Sequence, residues 1–488
     1  MDRNKNREVK VRDFDSINHA SSGENFVDEN PADEKPVQRQ EENRALFTIF
    51  ASLVIDLLAF TVILPLLPSL LELYGRHNDD SLYNFLMEQV NSFKAMMGMP
   101  DVGRFNAVLF GGVVGSLFSL LQFICCPLIG AASDLFGRRI TLLLSMIGVL
   151  FSYVIWAVSK NFTIFVIARV IGGLCKGNVT ICTAAVTDVT SSKTRSKGMA
   201  LVGVAYSIGF IVGPMIGAVF ASKSSGSSEP FYQLPALFAI VLSAVDIVIV
   251  FLFFKETLPT EKRAKSLIHE CQKSLLYINP VSLFKFSALE GSSDAELQTV
   301  RGIGRVYFLF LFFFSGMEFT LTFLTHKNFQ YTSMNQGMMF FYVGSVMATV
   351  QGGYVRRLPA GAEKKTAVQG IAVIIPGMIL VGLAKTTFIL YAGLTLFSYG
   401  SAVVVPCLTA LISRYGSEDQ KGRVMGIFRS LGALARGIAP FVFCTVYWSV
   451  GAFWSYVCGA SCFLLPLFLL IKTTLSTTTM ADRKLSKD

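Results

Sequence analysis

Beyond residue 44 the chain alternates long apolar runs with short polar links. A helix that crosses a hydrocarbon core needs roughly 20 consecutive, mostly apolar residues. Twelve stretches meet this requirement, and each is a continuous run rather than a ten-residue alternation, which predicts helices instead of barrel strands. The twelve predicted spans are residues 45–71, 106–129, 140–159, 162–183, 199–221, 234–254, 304–325, 335–355, 366–384, 387–411, 424–447 and 451–472.

A polar segment between the sixth and seventh spans divides them into two sets of six. The links after the fourth and tenth spans, residues 187–199 and 413–426, are both short, polar and basic, and each leads into a span with a Ser-x-Gly triplet, at Ser207 and Ser430. This similarity predicts an internal duplication. The predicted organisation is a disordered cytoplasmic tail over 1–44, a six-helix bundle over 45–254, a cytoplasmic linker over 255–303, a second six-helix bundle over 304–472 and a cytoplasmic tail over 473–488.

Charge is scarce outside the first 44 residues, which hold 11 acidic and 8 basic side chains. The chain of 488 residues is 52% hydrophobic and 16% charged, against about 25% charged in a soluble domain, and this excludes a water-soluble enzyme. Lysine and arginine number 20 in the links on the side of the termini and 7 on the other side, which predicts that both termini are cytoplasmic. The net charge of +10 then reflects topology and lipid headgroups, so we expect no nucleic-acid partner.

The link between the first two spans, residues 72–105, is longer than the other links on its side. Its apolar residues Leu82, Phe85, Leu86 and Val90 recur at helical spacing. A short amphipathic helix and an irregular loop are both compatible with this pattern.

The link between the second and third spans reads Gly-Ala-Ala-Ser-Asp-Leu-Phe-Gly-Arg-Arg over residues 130–139. This sequence resembles the signature G-x-x-x-D-R-x-G-R-R of the major facilitator superfamily, with Leu135 in place of an arginine. The resemblance implies two six-helix bundles and a gate, in which glycines allow close helix approach and the aspartate faces a helix N-terminus across the bundle interface to stabilise an outward-open state. An ordinary basic turn is the alternative. The implied gating residues are Gly130, Asp134, Gly137, Arg138 and Arg139.

The fifth span contains a glycine and proline motif. Its residues Gly209, Gly213, Pro214 and Gly217 fit G-x-x-x-G-P-x-x-G, which resembles the motif of antiporters in the same superfamily. Glycines one turn apart permit close helix packing, and the proline frees a backbone carbonyl. A tightly packed helix pair without antiport would have the same glycines.

Three acidic residues interrupt the spans, and intramembrane carboxylates commonly mark proton pathways. Asp56 comes first among the predicted proton-coupling residues, because the sequence around it resembles the first span of tetracycline-type drug antiporters. Asp246 and Glu318 are the other two candidates. A structural partnership with a polar neighbour is the alternative for Asp246.

Basic residues also lie inside spans, where an unpaired cation costs on the order of 3 kcal/mol. We therefore expect Arg169, Lys176 and Arg436 to line the substrate cavity. For Arg169 the other roles are a proton relay and a structural ion pair. Lys176 is a candidate for binding an anionic substrate. For Arg436 the alternative is an ion pair with a carboxylate such as Glu318. This positive charge favours organic anions as substrates.

Further segments extend the resemblance to animal tetracycline-transporter-like members of the superfamily over residues 45–472, among them 254–259, 323–326, 403–408 and 415–417. The resemblance implies proton-coupled antiport of organic anions or drug-like amphiphiles by a monomer in the plasma membrane or an internal membrane. We expect no enzymatic activity, cofactor or metal, because no nucleophile–base pair, metal cluster or phosphate loop is found. A facilitator-fold scaffold, chaperone or sensor that does not transport is the alternative.

Overall fold

The computed structural model describes residues 36–75, 80–97, 106–190, 195–224, 232–264, 266, 272, 274–287, 293–359, 361–415 and 421–474. Of the predicted tails over 1–44 and 473–488, residues 1–35 and 475–488 lie outside these ranges. The chain divides into two compact units, residues 1–41 and 42–488. The second unit contains all the features discussed below.

The described part of the chain consists of helices joined by turns and loops and contains no strand. The helices before the linker are α1 (Pro36–Thr61), α2 (Leu67–Gly75), α3 (Ser81–Met97), α4 (Asn106–Phe136), α5 (Arg138–Ala157), α6 (Phe162–Cys175), α7 (Asn178–Val189), α8 (Arg195–Ser224) and α9 (Gln233–Phe253). Those that follow are α10 (Pro280–Lys285), α11 (Asp294–Asn328), α12 (Ser333–Gly353), α13 (Glu363–Leu383), α14 (Thr387–Ile412), α15 (Lys421–Cys462) and α16 (Leu464–Lys472).

Ten helical segments in the described residues are long and apolar enough to cross a membrane. Two of the twelve predicted spans are not counted separately among them. Helix α12 is absent from the ten, and its sequence includes the polar side chains Asn335, Gln336 and Gln351. The segment Arg423–Lys472 covers the last two predicted spans, and a backbone break at Gly451, with φ 80°, divides it.

The long link after the first span contains a helix, α3, so the helical alternative is the observed one. Tyr83 anchors it, because its ring packs against Phe110 at 4.8 Å and Phe162 at 5.7 Å between ring centroids. Asp80 fixes its start: the carboxylate accepts hydrogen bonds from the Tyr83 amide at 2.9 Å and from the Thr163 amide at 2.8 Å. The link is therefore tied to the ends of α4 and α6.

Helices α1–α9 and α11–α16 meet along two seams, α4 against α15 and α8 against α12. We call the end that carries residues 130–139 the motif end, and the end that carries residues 72–83 the far end. Contacts toward the far end include a hydrogen bond of 2.8 Å from the Phe441 amide to the Ser116 hydroxyl and one of 3.1 Å between His326 Nε2 and Glu72 Oε1. The two parts of the chain are thus joined at the far end.

Candidate substrate and proton site

The fourth predicted span is broken at Lys176. Helix α6 ends at Cys175 and α7 begins at Asn178. Between them Lys176 has φ −76° and ψ 63°, and the Gly177 amide donates a hydrogen bond of 2.8 Å to the Cys175 carbonyl. These values define an inverse γ-turn. The turn places a lysine at the point where backbone groups are free from the regular helical ladder, as in the discontinuous helices of transporter binding sites.

Lys176 forms a buried ion pair with Asp56. Its Nζ lies 2.7 Å from each Asp56 carboxylate oxygen, and only 3% of the lysine side chain and 6% of the aspartate side chain are exposed. Asn178 donates a third hydrogen bond, of 3.0 Å, to Asp56 Oδ1. The Ser145 hydroxyl lies 2.8 Å from the Asn178 amide oxygen and orients it. A buried carboxylate whose two oxygens both bind one ammonium group, and which also accepts a hydrogen bond from an amide, is well stabilised in its charged form.

Asp246, from α9, lies beside this pair. It is 1% exposed and interacts electrostatically with Asp56 and Lys176. The Ser52 hydroxyl is within hydrogen-bonding reach of its carboxyl group, but Asp246 Oδ1 is buried without a hydrogen-bond partner among the described residues. Two carboxyl groups therefore face one lysine, and one buried oxygen is left unsatisfied.

Arg169 lies on α6, seven residues or nearly two turns before Lys176. Its guanidinium stands over the Phe118 ring at 4.4 Å from the centroid, an arrangement that stabilises a desolvated cation. Arg169, Lys176 and Tyr153 line a small cavity of about 10 Å³. The Tyr153 hydroxyl is buried, has no hydrogen-bond partner in the described part of the chain, and interacts electrostatically with Asp56, Arg169 and Asp246. Arg169 and Tyr153 thus belong to the same cluster of polar groups as the two aspartates.

Glu318 on α11 and Arg436 on α15 form a second site. Arg436 is exposed and Glu318 is partly buried, and they interact electrostatically. Their side chains are not in ion-pair contact within the described residues, so the predicted salt bridge is not formed in this structure. Arg436 also interacts with Tyr206 of α8 and Tyr307 of α11. Arg436 therefore faces the space where α8, α11 and α15 approach one another.

Among the predicted gating residues, Arg138 is buried, with 6% of the residue exposed. Its guanidinium contacts Asp134 at 2.6 Å and Asp188 at 2.9 Å. Glu256 binds the first amides of α5, at 2.8 Å from Arg138 N and 3.2 Å from Arg139 N, where a carboxylate complements the helix dipole. The loop therefore connects α4, α5, α7 and the segment after α9.

The structure requires a glycine at position 137 of this loop but has room for a side chain at position 130. Gly137 has φ 98°, and a side chain there would collide with Glu256, so both backbone and space require glycine. A Cβ at Gly130 would meet only Thr180, at an ordinary 3.6 Å. The close helix approach expected at Gly130 is absent from this structure, and the expected contact of Asp134 across the interface stays a prediction.

The antiporter-type motif packs α8 between two helices. Side chains at Gly209 and Gly213 would collide with Leu57 and Thr61 of α1, and one at Gly217 would collide with Val62, which directly follows α1. The Thr61 hydroxyl donates a hydrogen bond of 2.8 Å to the Gly209 carbonyl. On the other side, the Pro214 carbonyl would lie 3.1 Å from a Cβ at Gly337 of α12. The motif therefore brings α1 and α12 close to the same helix.

The fold, the buried charges and the motif loop agree with a match to the model of the Major Facilitator Superfamily over residues 49–440. The chain belongs to the major facilitator superfamily. It is a multi-pass membrane protein of this transporter family. The predicted resemblance to the superfamily is confirmed.

Individual relatives support the same assignment. The chain is 47% identical to Major facilitator superfamily domain-containing protein 10 of Bos taurus over 441 residues, which cover 89% of this chain and 94% of the relative. It is 23% identical to the class C tetracycline resistance protein of Escherichia coli over 434 residues, or 88% and 96% of the two chains. A crystal structure of the human organic anion transporter MFSD10 superposes with a TM-score of 0.74 and 45% identity, covering 90% of this chain and 100% of that chain. The predicted resemblance to tetracycline-transporter-like proteins is therefore confirmed.

The structure brings together Asp56, Asp246, Arg169 and Lys176 in one cluster. Sequence reasoning missed the neutral members of this cluster, because a single serine, asparagine or tyrosine within a span carries no cost that marks it. Arg429 was also missed, although it is a basic residue inside a predicted span and the rule applied to Arg436 would have found it. The missed residues that contact or face the two sites are Ser145, Tyr153, Asn178, Tyr206, Tyr307 and Arg429.

Proposed function

We propose that the protein is a secondary active transporter that moves organic anions by alternating access and couples this movement to protons. The observation that carries the proposal is Arg436, an exposed arginine inside a span without an ion-pair partner in the described part of the chain. Such a cation is costly unless it is solvated or paired. An anionic substrate is the partner that a transporter of this family would supply. The organic anion transporter named among its structural relatives supports the same substrate class.

The proposed architecture has twelve spans in two six-helix bundles, with both termini in the cytoplasm. Helix α12, with 21 residues, is long enough to cross a bilayer. The 50 residues of Arg423–Lys472 would extend about 75 Å as one helix, so the break at Gly451 supports two crossings. These two additions raise the ten candidate spans to twelve.

Proton coupling is proposed to use Asp56 and Asp246. When both are ionised, two buried carboxylates share Lys176 and repel each other. A proton on Asp246 removes this repulsion. Opening of the Asp56–Lys176 pair during the transport cycle would then expose Asp56 as a second acceptor.

The test is transport in proteoliposomes with an imposed pH gradient. Flux of a radiolabelled organic anion should respond to the gradient in the wild type, and Asp246→Asn and Asp56→Asn should abolish this response. Asp294→Asn, an exposed substitution at the start of α11, is the matched control and should behave as wild type. Unchanged pH-driven flux in both cluster variants would remove these residues from the coupling mechanism.

Two directions of coupling have structural support. The α8 motif favours antiport, in which the anion and the proton move oppositely. The position of Glu318 beside Arg436 favours cotransport, because protonation of Glu318 leaves Arg436 free to bind the anion. Reversing the pH gradient separates them: an interior more acidic than the exterior drives anion uptake in antiport and opposes it in cotransport.

The alternative is a scaffold or sensor that does not transport. The proline inside α8 and the presence of contacts between the two parts of the chain at the far end support a moving carrier instead. Deletion of residues 2–35 distinguishes the two, since α1 begins at Pro36. Transport should survive the deletion, whereas a scaffold that depends on the charged tail would lose its activity.

A further inference from the structure

Arg429 is a second cation in the same space as Arg436. It is exposed, it lies on α15, and it makes neither a hydrogen bond nor an ion pair with any described residue. Its electrostatic neighbours are the phenol groups of Tyr206 and Tyr307. Glu318 interacts electrostatically with Arg436, whereas the groups that interact with Arg429 are the two tyrosines. Arg429 is thus a positive charge that no acidic side chain in the described part of the chain neutralises.

The two arginines share one face of α15. Seven residues separate them, which is nearly two full turns and an axial distance of about 10 Å. Both interact with Tyr206 and Tyr307, so both side chains point into the same space. The helix therefore presents two guanidinium groups in line, one nearer the motif end and one deeper.

The two tyrosines have defined orientations. Tyr307 stacks on Phe428, with ring centroids 3.7 Å apart and an interplanar angle of 17°. Tyr206 is stacked with Phe210 at 6.2 Å and 19°. Aromatic rings held in this way provide apolar surface and a hydroxyl donor between the two charges. They suit a ligand whose middle is apolar and whose ends are anionic.

We propose that the substrate is an elongated organic dianion, with one anionic group on Arg436 and the other on Arg429. This inference rests on the proposed function and specifies its substrate class. The backbones of the two arginines lie about 10 Å apart along the helix axis, so we expect the two guanidinium groups to bind two carboxylate or sulfonate groups at a separation of this order. A protonated Glu318 leaves two positive charges in the site, which a dianion neutralises.

The experiment measures uptake of α,ω-dicarboxylates of increasing length into proteoliposomes, together with the monomethyl ester of each. A diacid with carboxylates about 10 Å apart should have a KM about tenfold below that of its ester, which corresponds to about 1.4 kcal/mol. Arg429→Gln should raise the diacid KM about tenfold and the ester KM much less, so that the preference for the diacid is lost. Arg429→Lys, which keeps the positive charge, should retain part of the preference for the diacid over its ester. The melting temperature of each variant tests folding.

Different outcomes would reject the two-arginine site and the proposed organic anion transport. If the wild type transports monoanions and diacids with the same KM, or Arg429→Gln affects both equally, the two-point site is wrong while organic anion transport stands. If the wild type transports no organic anion of either kind, the proposed function fails as well.

Discussion

Asp56 and Lys176 are far apart in the sequence but form the most completely buried ion pair described in the structure. Removing one partner of such a pair leaves a charge buried without compensation, which costs about 3–5 kcal/mol. Lys176→Met should therefore lower the melting temperature in detergent strongly. The double variant Asp56→Leu/Lys176→Met should recover much of the loss, because neither charge remains.

Transport distinguishes stability from function in these variants. The double variant should be folded but should have lost its response to a pH gradient. A double variant as unstable as Lys176→Met would show that packing, rather than the buried charge, dominates the effect.

Asp80 gives a pH-dependent contribution outside the spans. Burial alone would raise the pKa of its carboxyl group, but the hydrogen bonds from Thr163 and Tyr83 outweigh burial and lower the pKa below its ordinary value. The carboxylate therefore stabilises the fold above the ordinary pKa of about 3.9, and this stabilisation disappears as the pH falls through the lowered pKa.

Melting temperatures of the wild type and Asp80→Asn between neutral and strongly acidic pH check this prediction. The wild type should be more stable at neutral pH, and the difference should shrink only at pH values below about 4. A difference that is constant across the whole range would contradict a role for the charge.

The charges inside spans could be predicted at the residue scale because each is individually costly. Their partners could not, since the turn at Lys176 and the position of Asp246 depend on how distant helices pack. The alternative of a Glu318–Arg436 ion pair could not be decided from sequence for the same reason. The two residues interact electrostatically, but sequence does not determine whether their side chains touch.

At the scale of elements, α8 leaves no room for side chains at several of its glycines. Gly213→Ala and Gly217→Ala place a methyl group against Thr61 at the end of α1 and against the carbonyl of Val62, which follows it, and overpacking of this kind costs about 1–3 kcal/mol. Both should lower the melting temperature and the transport rate. Gly203→Ala is the matched control, because a Cβ there meets nothing within 4 Å.

The control variant has its own expected direction of change in stability. Alanine is the better helix former by about 1 kcal/mol, so Gly203→Ala should be neutral or stabilising. Equal losses in all three variants would mean that helix flexibility, rather than contact with α1, is what the glycines provide.

Elements were predictable where one local pattern dominates. The apolar runs predict the spans, and the helical spacing of Leu82, Phe85 and Leu86 is realised in α3. The break between α6 and α7 was not predicted, because the short polar segment 176–178 lies between apolar residues that together have the length of one span. The buried Asp56–Lys176 contact forms at this break.

At the scale of the whole molecule, the far-end seams must open during alternating access. A double variant Glu72→Cys/His326→Cys, in a background without the nine native cysteines, should be cross-linked by a short bifunctional maleimide, because the native side chains lie 3.1 Å apart. Cross-linking should stop transport.

The control pair is Tyr342→Cys/Thr395→Cys, whose native hydroxyls are 2.7 Å apart on α12 and α14. These helices belong to the same predicted bundle, so the same reagent should leave transport intact. Full activity after cross-linking at the far end would contradict alternating access through those seams.

The most direct test of proton-coupled anion transport records both fluxes in the same vesicles. Proteoliposomes that contain a pH-sensitive dye are given a labelled organic anion on one side without an initial pH gradient. Anion movement should generate a proton flux in the wild type, and both fluxes should fall together in Arg436→Gln. Anion movement without any proton flux, or no anion movement beyond that of protein-free liposomes, would contradict the account.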